Sequence, residues 1–298
     1  MAMTQSRHIA IVAPSGYATD KDAYARAVNN LGDQGHQVHD FSASYAPHQR
    51  FAATDAQRLA QLHAAAKHPE VELVIALRGG YGLSRLLPQI DFDLLANSGK
   101  RFVGHSDFTA IHMGLLSKNA VSFAGPMMCD DFSRVDISKF THEHFWQAIS
   151  SSIFSVNVPA MNNPVVSCEG TLWGGNLAML VHLIGSPWMP TIEHGVLFVE
   201  DINEHPYRVE RMMLQLLHAG VLQNQRAIIL GDFSAYKLSD YDNGYDFAAM
   251  VDYLRQQMNV PILTGLPFGH VRDKLTLPVG AHCQLESNRD EFVLHLSI

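Results

Sequence analysis

Val71-Glu-Leu-Val-Ile-Ala-Leu77, followed at once by Arg78-Gly-Gly-Tyr-Gly82, decides the fold class of this chain. The run is short, almost wholly apolar and closed by glycines, which predicts a strand buried on both faces. Upstream, the apolar run 8–13 stops at Pro14-Ser15-Gly16, and 20–31 has helical composition ending at Gly32. A strand over 37–41 and a helix rich in Ala, Leu and Gln over 54–67 follow. Downstream come a strand over 101–105, a helix over 107–118 and a strand over 121–124 that ends at Gly125-Pro126. Strands separated by helical spacers predict an α/β domain, its parallel sheet covered by helices on both faces.

Between 128 and 165 this rhythm is lost. The stretch holds acidic residues, a helix near 142–149 and the turn Asn162-Asn163-Pro164, and reads as a connection. Beyond the Gly170–Gly175 segment come a helix over 176–184, a strand over 196–199, a helix over 207–218 and a strand over 227–230. Short strands around 262–266, 283–285 and 292–296 make the end of the chain strand-rich and mixed. The expected division is an N-terminal α/β domain over 1–135, a linker over 136–164 and a C-terminal domain over 165–298. A chain of 298 residues, 47% of them hydrophobic, is long enough for two cores.

Composition excludes several classes. The net charge is −8 and the basic residues are scattered, which speaks against a nucleic-acid partner. Cys129, Cys168 and Cys283 form no CxxC pair, so they read as buried free thiols rather than a disulfide framework or a zinc ribbon. No long uninterrupted apolar segment predicts a membrane span, and the apolar stretch near the N-terminus is too short for a signal peptide. The expected location is the cytoplasm.

Chemistry concentrates at strand ends. In Arg101-Phe-Val-Gly-His-Ser-Asp-Phe-Thr-Ala110 a strand runs straight into a helix, with Ser106 at the junction. A hydroxyl there stands clear of the sheet, and the Asp107 N–H points outward at the positive end of the helix. This has the mechanics of a nucleophile elbow without its G-x-S-x-G spelling. Ser and Asp are also favoured helix caps, so a plain helix start fits equally. The loop after the 71–77 strand lies at the sheet edge where ligands bind in open α/β folds. The dinucleotide fingerprint fails there, because Arg85 occupies the position of the third glycine, and no Walker A pattern exists elsewhere. Gly80 N–H therefore reads either as a second oxyanion donor or as part of a simple tight turn.

A serine nucleophile needs a base, and 17 histidines are available. His105 adjoins the serine, and strand alternation points its ring to the opposite face. His112 lies on the following helix, whereas His270 stands in a loop, Pro267-Phe-Gly-His-Val271. Glu200 and Asp201 close the apolar strand Gly195-Val-Leu-Phe-Val199, and spacing does not choose between them as the carboxylate behind the histidine. His142-Glu143-His144 and Glu204-His205 fit no metal-ligand pattern and read as solvated surface.

Taken together, the segments Ile11-Val-Ala-Pro-Ser-Gly16, Leu77-Arg-Gly-Gly-Tyr-Gly82, Gly104-His-Ser-Asp107, Gly170-Thr-Leu-Trp-Gly-Gly-Asn176, Phe198-Val-Glu-Asp201 and Gly265-Leu-Pro-Phe-Gly-His270 occur in one order along nearly the whole chain. In that order they resemble the serine LD-carboxypeptidases, or muramoyltetrapeptide carboxypeptidases. The resemblance implies Ser106 as nucleophile, His270 as base and Glu200 as the third member, with the oxyanion held by the Gly80 and Asp107 amides. It further implies an N-terminal domain like the class I glutamine amidotransferases, a smaller C-terminal domain, a site between them and a homodimer. The implied substrate is a murein tetrapeptide that loses its terminal D-alanine during cell-wall recycling. The microcin-immunity branch of the family, which cleaves peptidyl-nucleotides, is the nearest rival, and a non-catalytic muropeptide binder is the rival from another class. A carboxypeptidase must also grip a free carboxylate, for which Arg78, Arg272 and Lys274 are candidates. Trp173 is a candidate to stack on the peptide, with core packing as the other reading.

Overall fold

The computed structural model describes residues 6–298. The first residues of the domain expected over 1–135, and of the stretch weighed as a signal segment, lie outside the described part.

The first half runs β1 (His8–Val12), α1 (Lys21–Asp33), β2 (Gln37–Asp40), α2 (Asp55–Lys67), β3 (Leu73–Ala76), α3 (Phe92–Asn97), β4 (Arg101–Gly104), α4 (Thr109–Leu116) and β5 (Ser122–Ala124). Local chemistry starts these helices where they start. Asp20 caps α1 through the Ala23 N–H, and Thr54 opens α2 in a reciprocal capping box with Gln57. All of β3 is buried, as its apolar run predicts.

These strands form a six-stranded sheet in the order β11-β5-β4-β3-β1-β2, where β11 (Leu277–Val279) arrives from the far end of the chain. Pairing is parallel from β2 to β5, and β11 runs antiparallel against β5. The strand order reverses between β1 and β3, so the crevice outside their carboxyl ends is the natural place for a ligand.

The stretch expected as a connection holds α5 (Lys139–Ser150) and β6 (Ile153–Pro159). Then follow β7 (Val166–Asn176), α6 (Leu177–Leu183), β8 (Val196–Ile202), α7 (Pro206–His218), β9 (Ala227–Ser234), α8 (Phe247–Gln257) and β10 (Ile262–Thr264), with β12 (His282–Ser287) and β13 (Glu291–Ser297) after β11. The second sheet has seven strands in the order β10-β9-β8-β7-β12-β13-β6. Its β7–β10 half is parallel and its β12, β13 and β6 half antiparallel. The fold is therefore mixed α/β, with a strand-rich C-terminal part. Among the described residues no helix is long and apolar enough to cross a membrane.

The two sheets meet where α4 approaches the end of β7. Thr109 Oγ1 accepts the Asn176 N–H at 3.0 Å, and Gly175 (φ +138°) lets the helix and the strand come this close. A Cβ on Gly175 would lie 2.5 Å from Thr109 Oγ1. Gly175→Ala should therefore cost about 1–3 kcal/mol through overpacking and an unfavourable φ. Urea unfolding of the purified variant measures this, and a midpoint equal to wild type would show that the contact relaxes freely.

Candidate active site

Ser106 follows β4 at φ +60°, a conformation that costs a non-glycine residue on the order of 1 kcal/mol. Asp107 holds the turn in place. Its buried carboxylate accepts from Ser15 Oγ (2.5 Å) and from the Leu83 N–H (3.0 Å), fastening the turn to the loops that follow β1 and β3. Burial raises the Asp107 carboxyl above its ordinary range in spite of these donors. Its amide is the second in a helical turn, where N–H groups have no partner within the helix. Gly79 makes room for the hydroxyl, since a Cβ there would meet Ser106 Cβ at 2.8 Å and Oγ at 2.9 Å. Gly80 follows at φ +112° and lines the same cleft as Ser106.

Glu200 ends the apolar part of β8 and is wholly buried. Its Oε2 accepts from His270 Nδ1 at 2.8 Å, and its Oε1 accepts from Asn176 Nδ2 at 3.2 Å. The strand register shifts between Val199 and Asp201, and the Asp201 carboxylate accepts from Asn176 Nδ2, the Ala178 N–H and the Ile202 N–H. Burial, then the neighbouring Glu200 charge, raises Asp201 to about 6. Of the pair that spacing left open, Glu200 is the one touching an imidazole.

His270 sits in the loop after β10. The Asp232 N–H donates to the Phe268 carbonyl at 2.8 Å and straps this loop to β9. Gly269 (φ +136°) passes so close to Glu200 that a Cβ would stand 3.2 Å from Oε2. Beyond His270, α5 clamps the chain. Thr141 Oγ1 donates to the Arg272 carbonyl and accepts the Lys274 N–H, each at 2.9 Å, and Ser138 donates to Asp273 at 2.5 Å. Burial pulls the His270 pKa down, but the hydrogen bond and charge of Glu200 outweigh it and hold the ring above 6.5.

Ser106 and His270 share the wall of one cleft of about 240 Å³, together with Arg78, Gly80, His105 and Lys274. No hydrogen bond joins the Ser106 hydroxyl to His270 among the described residues. Strand alternation was expected to turn His105 away from this side. Because β4 stops at Gly104, the alternation ends before it, and the His105 ring stands edge-on to His270 with centroids 5.1 Å apart. Burial holds His105 well below 6.5, so the ring is neutral and its Nδ1–H donates to the Gly125 carbonyl at 2.9 Å. His112 is packed inside, with Nε2 on the Gly104 carbonyl, and burial lowers it to about 4.

The cationic candidates separate by their partners. Arg272 pairs with Asp136, and nearly buried Lys274 pairs with Asp131 at 2.7 Å. Arg78 lines the cleft with no carboxylate partner among the described residues, and its buried Nε lacks a hydrogen bond. Trp173 requires a correction. It is fully buried in β7, and its Nε1–H donates to Gln225 Oε1 at 2.8 Å, so it packs the core and cannot stack on a ligand. His142, His144 and His205 are separately engaged by Gln34, the Phe140 carbonyl and Asp242. All three cysteines are free. Asn176 is the residue that sequence reasoning missed: it caps α6 through the Met179 N–H while its amide bridges Glu200 and Asp201. An Asn before a helix signals the cap, but nothing local signals the bridge.

This arrangement agrees with what the chain matches as a whole. Residues 9–125 match the LD-carboxypeptidase N-terminal domain and residues 169–285 the LD-carboxypeptidase C-terminal domain. The chain belongs to the LD-carboxypeptidase family. A crystal structure of muramoyltetrapeptide carboxypeptidase from Oxalobacter formigenes superposes with a TM-score of 0.94 at 53% identity, covering 98% of this chain and 99% of that one. The probable murein peptide carboxypeptidase of Bacillus subtilis (strain 168) is 28% identical over 301 residues, 100% of this chain and 94% of the relative. The microcin C7 self-immunity protein MccF of Escherichia coli is 26% identical over 269 residues, 79% of this chain and 77% of that protein.

The buried position of Trp173 has a measurable consequence. Trp173→Phe removes the donor to the enclosed Gln225 oxygen and should cost about 1–3 kcal/mol in denaturant unfolding. Turnover per folded molecule should stay at the wild-type level, and a selective rise in KM would instead return the indole to the ligand.

Proposed function

We propose that this chain is a serine-type LD-carboxypeptidase that removes the terminal D-alanine from murein tetrapeptides. The observation that carries this reading is the His270–Glu200 pair, 2.8 Å apart, opening on the same cleft as a hydroxyl raised on a positive-φ turn. Neutral His270 takes the Ser106 proton, and Ser106 Oγ attacks the carbonyl that joins an L-configured centre to D-alanine. The Gly80 and Asp107 amides stabilise the oxyanion. The C–N bond breaks as His270 returns the proton to the leaving amine, and water then releases the acyl group by the same path in reverse. Arg78, which lines the cleft with no acidic partner among the described residues, is assigned to the terminal carboxylate. None of these steps calls on a metal or an organic cofactor.

The names of the relatives supply the substrate class. A peptidyl-nucleotide, the alternative, needs an aromatic surface for its base. Among the described residues lining the cleft there is no Phe, Tyr or Trp, which favours the murein peptide. Tyr17 and Tyr81 line only the adjoining cleft beyond Arg78. Turnover of murein tetrapeptide against a peptidyl-nucleotide on one preparation decides between them. The same proposal takes the chain as a two-domain, cytoplasmic homodimer without nucleic-acid or membrane partners. In it, residues 1–135 bring the nucleophile and 165–298 bring the histidine and glutamate, joined by 136–164.

Ser106→Ala should lower D-alanine release on the order of 10⁴-fold or more while the melting temperature stays near wild type. Wild-type turnover in that variant would end the serine assignment, whereas retained peptide binding without any wild-type turnover would mark a binder. The pH profile has a definite sign. The base works only when neutral, so kcat/KM should rise with pH along a limb whose midpoint lies above 6.5. Glu200→Gln removes the largest influences that raise the His270 pKa, so burial outweighs the remaining Asp201 charge. The limb should then move to lower pH while the maximal rate drops, and an unmoved limb would assign the titration to another group.

A further inference from the structure

At the end of β1 remote from the cleft, two imidazoles meet nitrogen to nitrogen. Parallel pairing sets His39 of β2 beside Ala10, and His8 shares a face with Ala10, so both rings stand on one side of the sheet. His8 Nδ1 and His39 Nε2 are 3.0 Å apart, with the rings stacked at 5.2 Å and 23°. Glu70, in the turn between α2 and β3, brings Oε2 to 3.9 Å from His8 Nδ1. One donor atom from each residue lies within 4.8 Å of the other two. The turn carrying Glu70 is itself tied down, because Lys100 Nζ donates to the His68 and Val71 carbonyls, both at 2.7 Å. The Glu70 N–H donates to His68 Nδ1, and the His68 ring packs at 4.5 Å against His39. The proposed reaction uses none of these groups.

We propose that His8, His39 and Glu70 form a binding site for a late first-row divalent cation, with zinc(II) as the leading occupant. Imidazole nitrogen with one carboxylate oxygen is a ligand set such ions take readily. Tetrahedral zinc with Zn–N near 2.0–2.1 Å holds two nitrogen ligands about 3.3 Å apart. The rings therefore need to part by only a few tenths of an ångström. Glu70, with 63% of its side chain exposed, closes on the ion without disturbing the core, and water completes the coordination. The proton now shared between the facing nitrogens moves to the other nitrogen of its own ring, so both imidazoles bind in the neutral form. The bound ion ties edge strand β2 to β1 and to the turn that leads into β3, and it stabilises the folded state by mass action.

The test is zinc(II) titration of the metal-stripped full-length chain by calorimetry, with cobalt(II) as a visible-absorption probe of the same site. Wild type should take up one equivalent at micromolar zinc, develop a tetrahedral cobalt band and melt at a higher temperature. Glu70→Gln should weaken binding by about tenfold or more, and His39→Ala should abolish the cobalt band. Absence of uptake by wild type overturns the proposal. So does unchanged affinity in both variants, which would place the metal among the other histidines. If His39→Ala is unstable without metal, Glu70→Gln, altered at an exposed side chain, decides alone.

Discussion

A carboxylate with no exposed surface is expensive unless donors surround it, and Glu200 is such a group. Two donors reach it: the His270 imidazole on one oxygen and the Asn176 amide on the other. Each needs its own support. His270 reaches Glu200 only because Gly269 has no side chain, because Asp232 straps the loop to β9, and because α5 holds the residues that follow. Asn176 reaches it only because β7 ends there and its oxygen caps α6. Satisfying one buried charge thus links β7, β8, β9, α5 and α6, and the imidazole that results opens on the cleft.

The opposite wall is built on the same principle from the first sheet. Asp107 is the buried carboxylate there, and its donors come from the loops after β1 and β3. These contacts offset the backbone strain at Ser106, which an unsupported turn would relieve by returning to negative φ. Each half of the site therefore rests on a buried acid whose partners lie far away in sequence. The Thr109–Asn176 contact brings the two halves together.

Much of the fold was legible in the chain, because local chemistry and tertiary burial agree there. The 71–77 run became β3 with fully buried residues, and the strand-to-helix break at Gly104-His105-Ser106 lies where the sequence reading put it. The elements that were not read are those whose signal is mostly tertiary. β6 alternates cleanly between buried and exposed residues, but it was absorbed into a supposed connection because its partner, β13, lies more than a hundred residues away. β11 is too short to signal itself, and α8 lies in a stretch to which no element was assigned. In the site, the serine turn and the glycine loop were legible from residue type and position. The choice of Glu200 over Asp201 came from resemblance and not from spacing, since it depends on which side of a register shift each carboxylate falls. Trp173, beside the tandem glycines Gly174 and Gly175, reads in the sequence as open either to a ligand or to the core. Those glycines instead allow β7 to approach β8 and α4.

β11 carries a consequence for how the molecule comes into being. Its three residues border β5 at the margin of a sheet whose other members were all synthesised before residue 125. A ribosome releasing the chain from its N-terminus therefore exports an unfinished sheet, and the missing border follows only after the intervening residues have been made. Until then β5 presents an open hydrogen-bonding edge, the kind of surface on which nascent chains associate wrongly. Closing it draws together segments some 150 residues apart, a long-range event that is intrinsically slow. The late strand thus makes completion of the first sheet depend on a segment that lies beyond most of the second.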